Sequence, residues 1–194
     1  IIFTIFCLLS FQNSINMIDG LNGFSTLVLF IINSFLLLYA QNTLVYEINK
    51  ILIVFLAVYF LFNIEGKLFF GESGIYLVSF ITSILIIFLY KKGIITVEQI
   101  ILLLIIPGVD MIRVTIQRIL RKIKVSTPDK NHIHHLLLNR FGINQTLLII
   151  LILIFPLNII SYLFPIYALY LVAVNIMIYT FLVIYLVKNS YDSI

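Results

Sequence analysis

Apolar residues dominate this chain in seven stretches, at about residues 1–11, 24–40, 51–62, 75–90, 94–109, 147–164 and 166–187. Several approach the ~20 residues needed to cross the ~30 Å hydrocarbon core of a bilayer. The shorter ones need tilt, local thinning or help from flanking residues. Backbone groups in lipid must pair internally, so only helices or a closed barrel can span it, and these stretches lack the apolar/polar alternation of barrel strands. The pattern predicts an all-α, polytopic transmembrane protein of about seven helices, forming a single membrane domain over residues 1–194. Pro156 and Pro165 bracket the segment LNIISYLF, which predicts a kink at Pro156 and a turn near Pro165 in the last hairpin.

Composition strengthens this picture: 62% of residues are hydrophobic and 10% charged, outside the range of soluble globular domains. The lipid bilayer is therefore a required partner. A single cysteine, Cys7, excludes an intramolecular disulfide framework and disfavours a cysteine-based metal site. The chain opens on Ile1 within an apolar stretch and has no charged flank of the signal-peptide kind, so it is expected to be the C-terminal part of a longer protein.

The net charge of +4 is unevenly spread. Alternating crossings put the segments around NSINMIDGLNG and NIEGKLFFGES, the basic segment at about 110–145 and the C-terminal tail on one face. That face carries Lys67, the seven basic residues from Arg113 to Arg140, and Lys188, against Lys50, Lys91 and Lys92 on the other. Nine cations against three make it the cytoplasmic side. Lys91 and Lys92 run against the rule and are expected to snorkel. Most of these basic residues, Lys122 and Lys124 among them, thus serve topology and headgroup attraction, and no nucleic-acid partner is expected.

Three polar clusters fall on that face. In the first, Asn13, Asn16, Asp19 and Asn22 recur every three residues, forming a polar stripe as an apolar helix reaches the interface. A carboxylate there needs a cation, a metal or a water-filled cavity, and Gly20 and Gly23 allow a ligand to approach the backbone; the alternative is an Asx-type helix end. In the second, Glu72 follows Gly71 directly before an apolar helix. It is either a helix-start residue or a second carboxylate which, with Asp19, would hold Mg²⁺ beside substrate phosphates.

The third cluster is PGVDMIRVTIQRILRKIKVSTPDKNHIHHLLLNRFG. On a helix, Asp110, Arg113, Gln117 and Arg121 line one side. Asp129 and Lys130 lead into His132, His134 and His135, which are all the histidines of the chain. They could ligate metal, act as acid or base, or hydrogen-bond phosphate oxygens; beside so many cations, phosphate binding is favoured. The absence of HExxH disfavours a zincin-type hydrolase.

The order of these motifs resembles the polyprenyl-phosphate N-acetylhexosamine-1-phosphate transferases, a glycosyltransferase family 4 group related to phospho-MurNAc-pentapeptide translocase. NSINMIDGLNG resembles that family's N-x-x-N-x-x-D-G-x-[DN]-G segment, and LFFGESG its F-x-G-D-S-G segment. STPDKNHIHHLLL, after Pro107, Asp110 and Arg113, resembles its Pro-x-x-Asp-x-x-Arg helix end followed by S-P-D-x-x-H-x-H-H. The resemblance runs from the first helix to about Gly142; the last two helices match only as hydrophobic spans.

It implies a multi-pass protein of the bacterial inner (plasma) membrane that starts cell-surface glycan synthesis. UDP-N-acetylhexosamine and undecaprenyl phosphate would be the substrates, UMP the released product, and Mg²⁺, or Mn²⁺ in its place, the cofactor. Asp19 and Glu72 would lie by the metal, and Asn16 near the nucleotide or phosphates, with Asn13 and Asn22 beside it. His132, His134 and His135 would lie near the diphosphate with Asp110 and Arg113, and a homodimer is compatible with the family.

Two departures stand out: Asn22 where aspartate is common, and Glu72 where aspartate is usual. The extra methylene of Glu72 is enough to displace a metal by more than ~0.5 Å. The family's aspartate-rich motif lies upstream of the matched region, so this fragment alone is expected to be nearly inactive. A membrane transporter and a non-catalytic remnant are the alternatives.

Overall fold

Each apolar stretch corresponds to a helix in the computed structural model, which describes residues 2–41, 43–124 and 130–191. The helices are α1 (Ile2–Ile18), α2 (Phe24–Tyr39), α3 (Leu44–Ile64), α4 (Gly71–Lys91), α5 (Val97–Leu120), α6 (Ile133–Leu163) and α7 (Ala168–Tyr191), with a 3₁₀ turn at Pro165–Tyr167. No strand occurs among the described residues. The fold is all-α, and five segments are long and apolar enough to cross a membrane: α3 to α6, and the last span from Pro165. At 17 and 16 residues, α1 and α2 are shorter.

Local chemistry sets several helix ends. Thr96 and Gln99 form a reciprocal capping box at the start of α5, the hydroxyl accepting from Gln99 N at 3.3 Å and the amide oxygen from Thr96 N at 2.9 Å. Where α3 gives way to α4, the Tyr59 and Phe70 rings stack with centroids 4.0 Å apart, joining the two ends.

The helix bounds depart from the apolar stretches around the basic segment. α5 continues past the apolar end at residue 109 to Leu120, and α6 begins at Ile133, well before residue 147. Much of the segment read as a loop at about 110–145 is therefore helical. The three- and four-residue spacing of its polar side chains, which marks a helix face, outweighs its loss of apolarity. Asp129 lies outside the described residues. α6 passes through Pro156; its non-helical backbone is at Gly142 (φ 76°, ψ 175°), in the left-handed range of φ that glycine tolerates. The turn near Pro165 is present.

α1 packs against α4 and α5, α2 against α3 and α6, and α7 against α5 and α6. Within this apolar core, buried amides cross-link helices. Asn33 donates to Thr82 Oγ1 at 3.1 Å, and Asn49 donates to the Asn33 carbonyl at 2.6 Å, tying α2, α3 and α4 together. Asn175 of α7 donates to the Leu153 carbonyl of α6 at 3.1 Å. Bonds of this kind contribute about 0.6 kcal/mol each in membranes, so packing supplies most of the cohesion.

Candidate functional site

The first polar cluster turns the chain from α1 into α2. Gly23 adopts φ 80° as the residue preceding α2, a conformation that costs an L side chain steric strain. The turn is held from α3 by Asn63, whose Oδ1 accepts from Gly23 N at 2.9 Å and from Thr26 Oγ1 at 2.8 Å, while its Nδ2 donates to the Leu68 carbonyl at 2.7 Å. One buried amide thereby fixes the turn and the α3–α4 connection together. Asn22 closes against that connection: a Cβ on Gly66 would lie 3.0 Å from its Nδ2.

Asp19 accepts a hydrogen bond from the Ser25 hydroxyl. No ion pair among the described residues includes it. Partial burial pushes its carboxyl above the ordinary range, opposed by the Ser25 bond. One turn earlier, Asn16 donates to the Tyr76 hydroxyl at 3.3 Å and that hydroxyl donates to Asn13 Oδ1 at 3.2 Å, so α4 clasps the polar stripe of α1.

The histidines come to this same turn from more than a hundred residues away. A Cβ on Gly20 would lie 3.1 Å from His134 Nε2 and 3.5 Å from His135 Nε2. The His134 and His135 ring centroids are 4.1 Å apart, His132 stacks 5.7 Å from His134, and Phe24 lies 5.3 Å away on another side of His134. His134 is fully buried, and neither ring nitrogen has a hydrogen-bond partner among the described residues. Buried polar groups are nearly always satisfied, so two bare nitrogens mark a place for a ligand or water.

Asp110 sits beneath the histidine segment with no exposed surface. Its Oδ1 accepts from Arg113 Nη2 at 2.6 Å, Tyr179 Oη at 2.7 Å and Ile133 N at 3.1 Å, and its Oδ2 lies 2.7 Å from His132 Nδ1. Ile133 is the first residue of α6, so a carboxylate from α5 caps the α6 N-terminus, where a negative charge is favoured. Arg113 also donates to the Asn131 carbonyl at 2.5 Å, to Tyr179 Oη at 2.9 Å and to Gln117 Oε1 at 3.3 Å.

The structure thus joins the first and third clusters and leaves the second apart. Glu72 is exposed in the first turn of α4, and among the described residues no ion pair joins it to the histidines or to another group. Among the described residues, no group of three or more His, Cys, Asp or Glu is arranged to hold a metal ion. Ser25, Asn63, Tyr76 and Tyr179 were not among the residues expected from the sequence. Each lies within or beside an apolar stretch, where spacing gives no sign of a partner on another helix.

Comparison with known proteins finds two similarities. Residues 1–90 match the model of glycosyl transferase family 4. A Bacillus subtilis (strain 168) protein described as a probable undecaprenyl-phosphate N-acetylglucosaminyl 1-phosphate transferase is 30% identical over 192 residues, covering 95% of this chain and 51% of the relative. The chain therefore spans about half the length of that relative. No solved structure matches. The family match covers the Asp19 turn and Glu72, and the alignment with the relative extends over nearly all of the chain, so its first 90 residues resemble glycosyl transferase family 4 and the whole is similar to that relative.

Proposed function

We propose that the full protein transfers an N-acetylhexosamine-1-phosphate from a UDP-sugar to undecaprenyl phosphate. An oxygen of the lipid phosphate bonds to the sugar-side phosphorus, the bond to the UMP oxygen breaks, and UMP leaves. The observation that supports this reading is the closeness of Gly20 to His134 and His135, which sets the Asp19 turn against the histidine segment. The bare nitrogens of His134 support it, since phosphate oxygens or a bridging hydroxyl would satisfy them.

Phosphoryl transfer asks a protein mainly for positioning and charge neutralisation. Mg²⁺ typically takes one or two protein carboxylates and completes its shell with water and substrate phosphates. Asp19 fits such a site, being a partly desolvated carboxylate without a cationic partner among the described residues. Asp19 would hold the ion, with exposed Glu72 as the second candidate, and the bound metal would neutralise charge on the diphosphate. Asn13 and Asn16, held by Tyr76, would orient the nucleotide or sugar phosphate. The face carrying these residues would be cytoplasmic, where UDP-sugars are found, and the lipid substrate would arrive through the bilayer.

The test is UMP release by membranes containing the full-length protein. It should require a UDP-N-acetylhexosamine, a polyprenyl phosphate and Mg²⁺ together. Release that persists without the lipid phosphate, or in excess chelator, would refute the proposal.

A further inference from the structure

We propose that Tyr179, on the last helix, is a positioning residue for His132 that acts through the carboxylate of Asp110. The kinetic part of this proposal rests on the transferase reading; the structural part does not.

Tyr179 lies in an apolar helix and is 2% exposed, yet its hydroxyl is engaged twice. It donates to Asp110 Oδ1 at 2.7 Å and accepts from Arg113 Nε at 2.9 Å. Arg113 Nη2 reaches the same Oδ1 at 2.6 Å, and Ile133 N reaches it at 3.1 Å. Three donors converge on one carboxylate oxygen, and the other faces His132 Nδ1 at 2.7 Å.

A carboxylate beside a guanidinium is an acceptor. The Nδ1 contact must therefore be an N–H that His132 donates, which makes Nε2 the nitrogen free to carry the lone pair in the neutral ring. A histidine that presents Nε2 in this form can accept a proton or a hydrogen bond from a substrate hydroxyl.

The Tyr179 hydroxyl matters because the Asp110 side chain is pinned through Oδ1. Terminal carboxylate torsions are broad, so the donors on Oδ1 are what aim Oδ2 at the imidazole. Loss of the hydroxyl removes one of those donors and leaves Arg113 Nε without its acceptor in a buried setting. Phenylalanine at this position fills the same space and keeps α7 packed on α5. A Tyr179 that merely fastened α7 would change stability without changing the tautomer of His132.

The experiment is nitrogen NMR of ¹⁵N-histidine-labelled full-length protein in lipid nanodiscs, with His132 assigned by the resonances lost in His132→Gln. In the unmodified protein His132 should be protonated at Nδ1. In Tyr179→Phe a second population protonated only at Nε2 should appear. UMP release should fall about tenfold in kcat, with KM for the UDP-sugar within about twofold of the unmodified value and a cooperative melt only a few degrees lower.

A bare Nδ1 at His132 in the unmodified protein would overturn the proposal, and that measurement does not depend on whether the variant folds. So would a Tyr179→Phe spectrum identical to the original, even with reduced turnover. If no UMP release is detected from the unmodified protein, the transferase reading fails, while the spectra still decide the role of Tyr179.

Discussion

Gly20 and His134 are in near contact across the site: a side chain on Gly20 would begin 3.1 Å from His134 Nε2. That separation is tighter than ordinary van der Waals contact, and His134 is fully buried, so its ring has little room to retreat. Gly20→Ala should lower the rate of UMP release about tenfold, because displacements well under 1 Å already cost rate in a positioned site. Steady-state assays beside a thermal melt check this; an unchanged rate would mean that the Gly20 contact is irrelevant to turnover.

Gly23→Ala should act on stability instead. Its φ of 80° is strained for alanine, and the new Cβ would meet Phe60 at 3.2 Å. The expected loss is about 1–2 kcal/mol, measured by denaturant titration in mixed micelles.

Asp110→Ala should be the most damaging single change in the site. It leaves Arg113 largely buried without its carboxylate and removes the cap of α6. Breaking a buried pair by deleting one partner costs about 3–5 kcal/mol. The variant should accumulate poorly, and what folds should show altered His132 resonances.

Asn33→Leu provides the contrast. Asn33 is also fully buried and hydrogen-bonded between helices, but it is neutral and lies in the apolar core. A loss of about 0.6–1.7 kcal/mol is expected, with UMP release per folded molecule retained.

The two candidate metal carboxylates can be separated by titrating Mg²⁺ against activity. Asp19→Asn should raise the Mg²⁺ concentration for half-maximal rate by about tenfold or more, and Glu72→Gln should raise it less, because only Asp19 sits in the turn that meets the histidines. Equal shifts would show that Glu72 is as close to the metal as Asp19.

The helices were legible because a bilayer permits few solutions: apolar runs of sufficient length must become helices, and each of the seven did. Around Asp110–Arg121 and His132–Arg140 the apolar signal ends while the helix continues, and only the side-chain spacing preserves its trace. The motifs were legible as types of residue in order. Their junction was not, because nothing in the spacing of Asp19 and His134 says that Gly20 would be the contact. Tyr179 was least visible of all, as one hydroxyl among the aromatic residues of a lipid-facing helix. The intramembrane amides at Asn33, Asn49, Asn158 and Asn175 could have suggested a solute path; instead each donates to a helix carbonyl.

The break at Gly142 gives α6 two directions in place of one. The short arm before it carries His134 and His135 and is fastened to Asp110, while the long arm after it holds the apolar stretch at 147–163. Thr146 Oγ1 donates to the Gly142 carbonyl at 2.7 Å, so that carbonyl keeps a partner at the break. The bond from Ile133 N to Asp110, and not a continuous helix, is therefore what joins the histidine arm to α5.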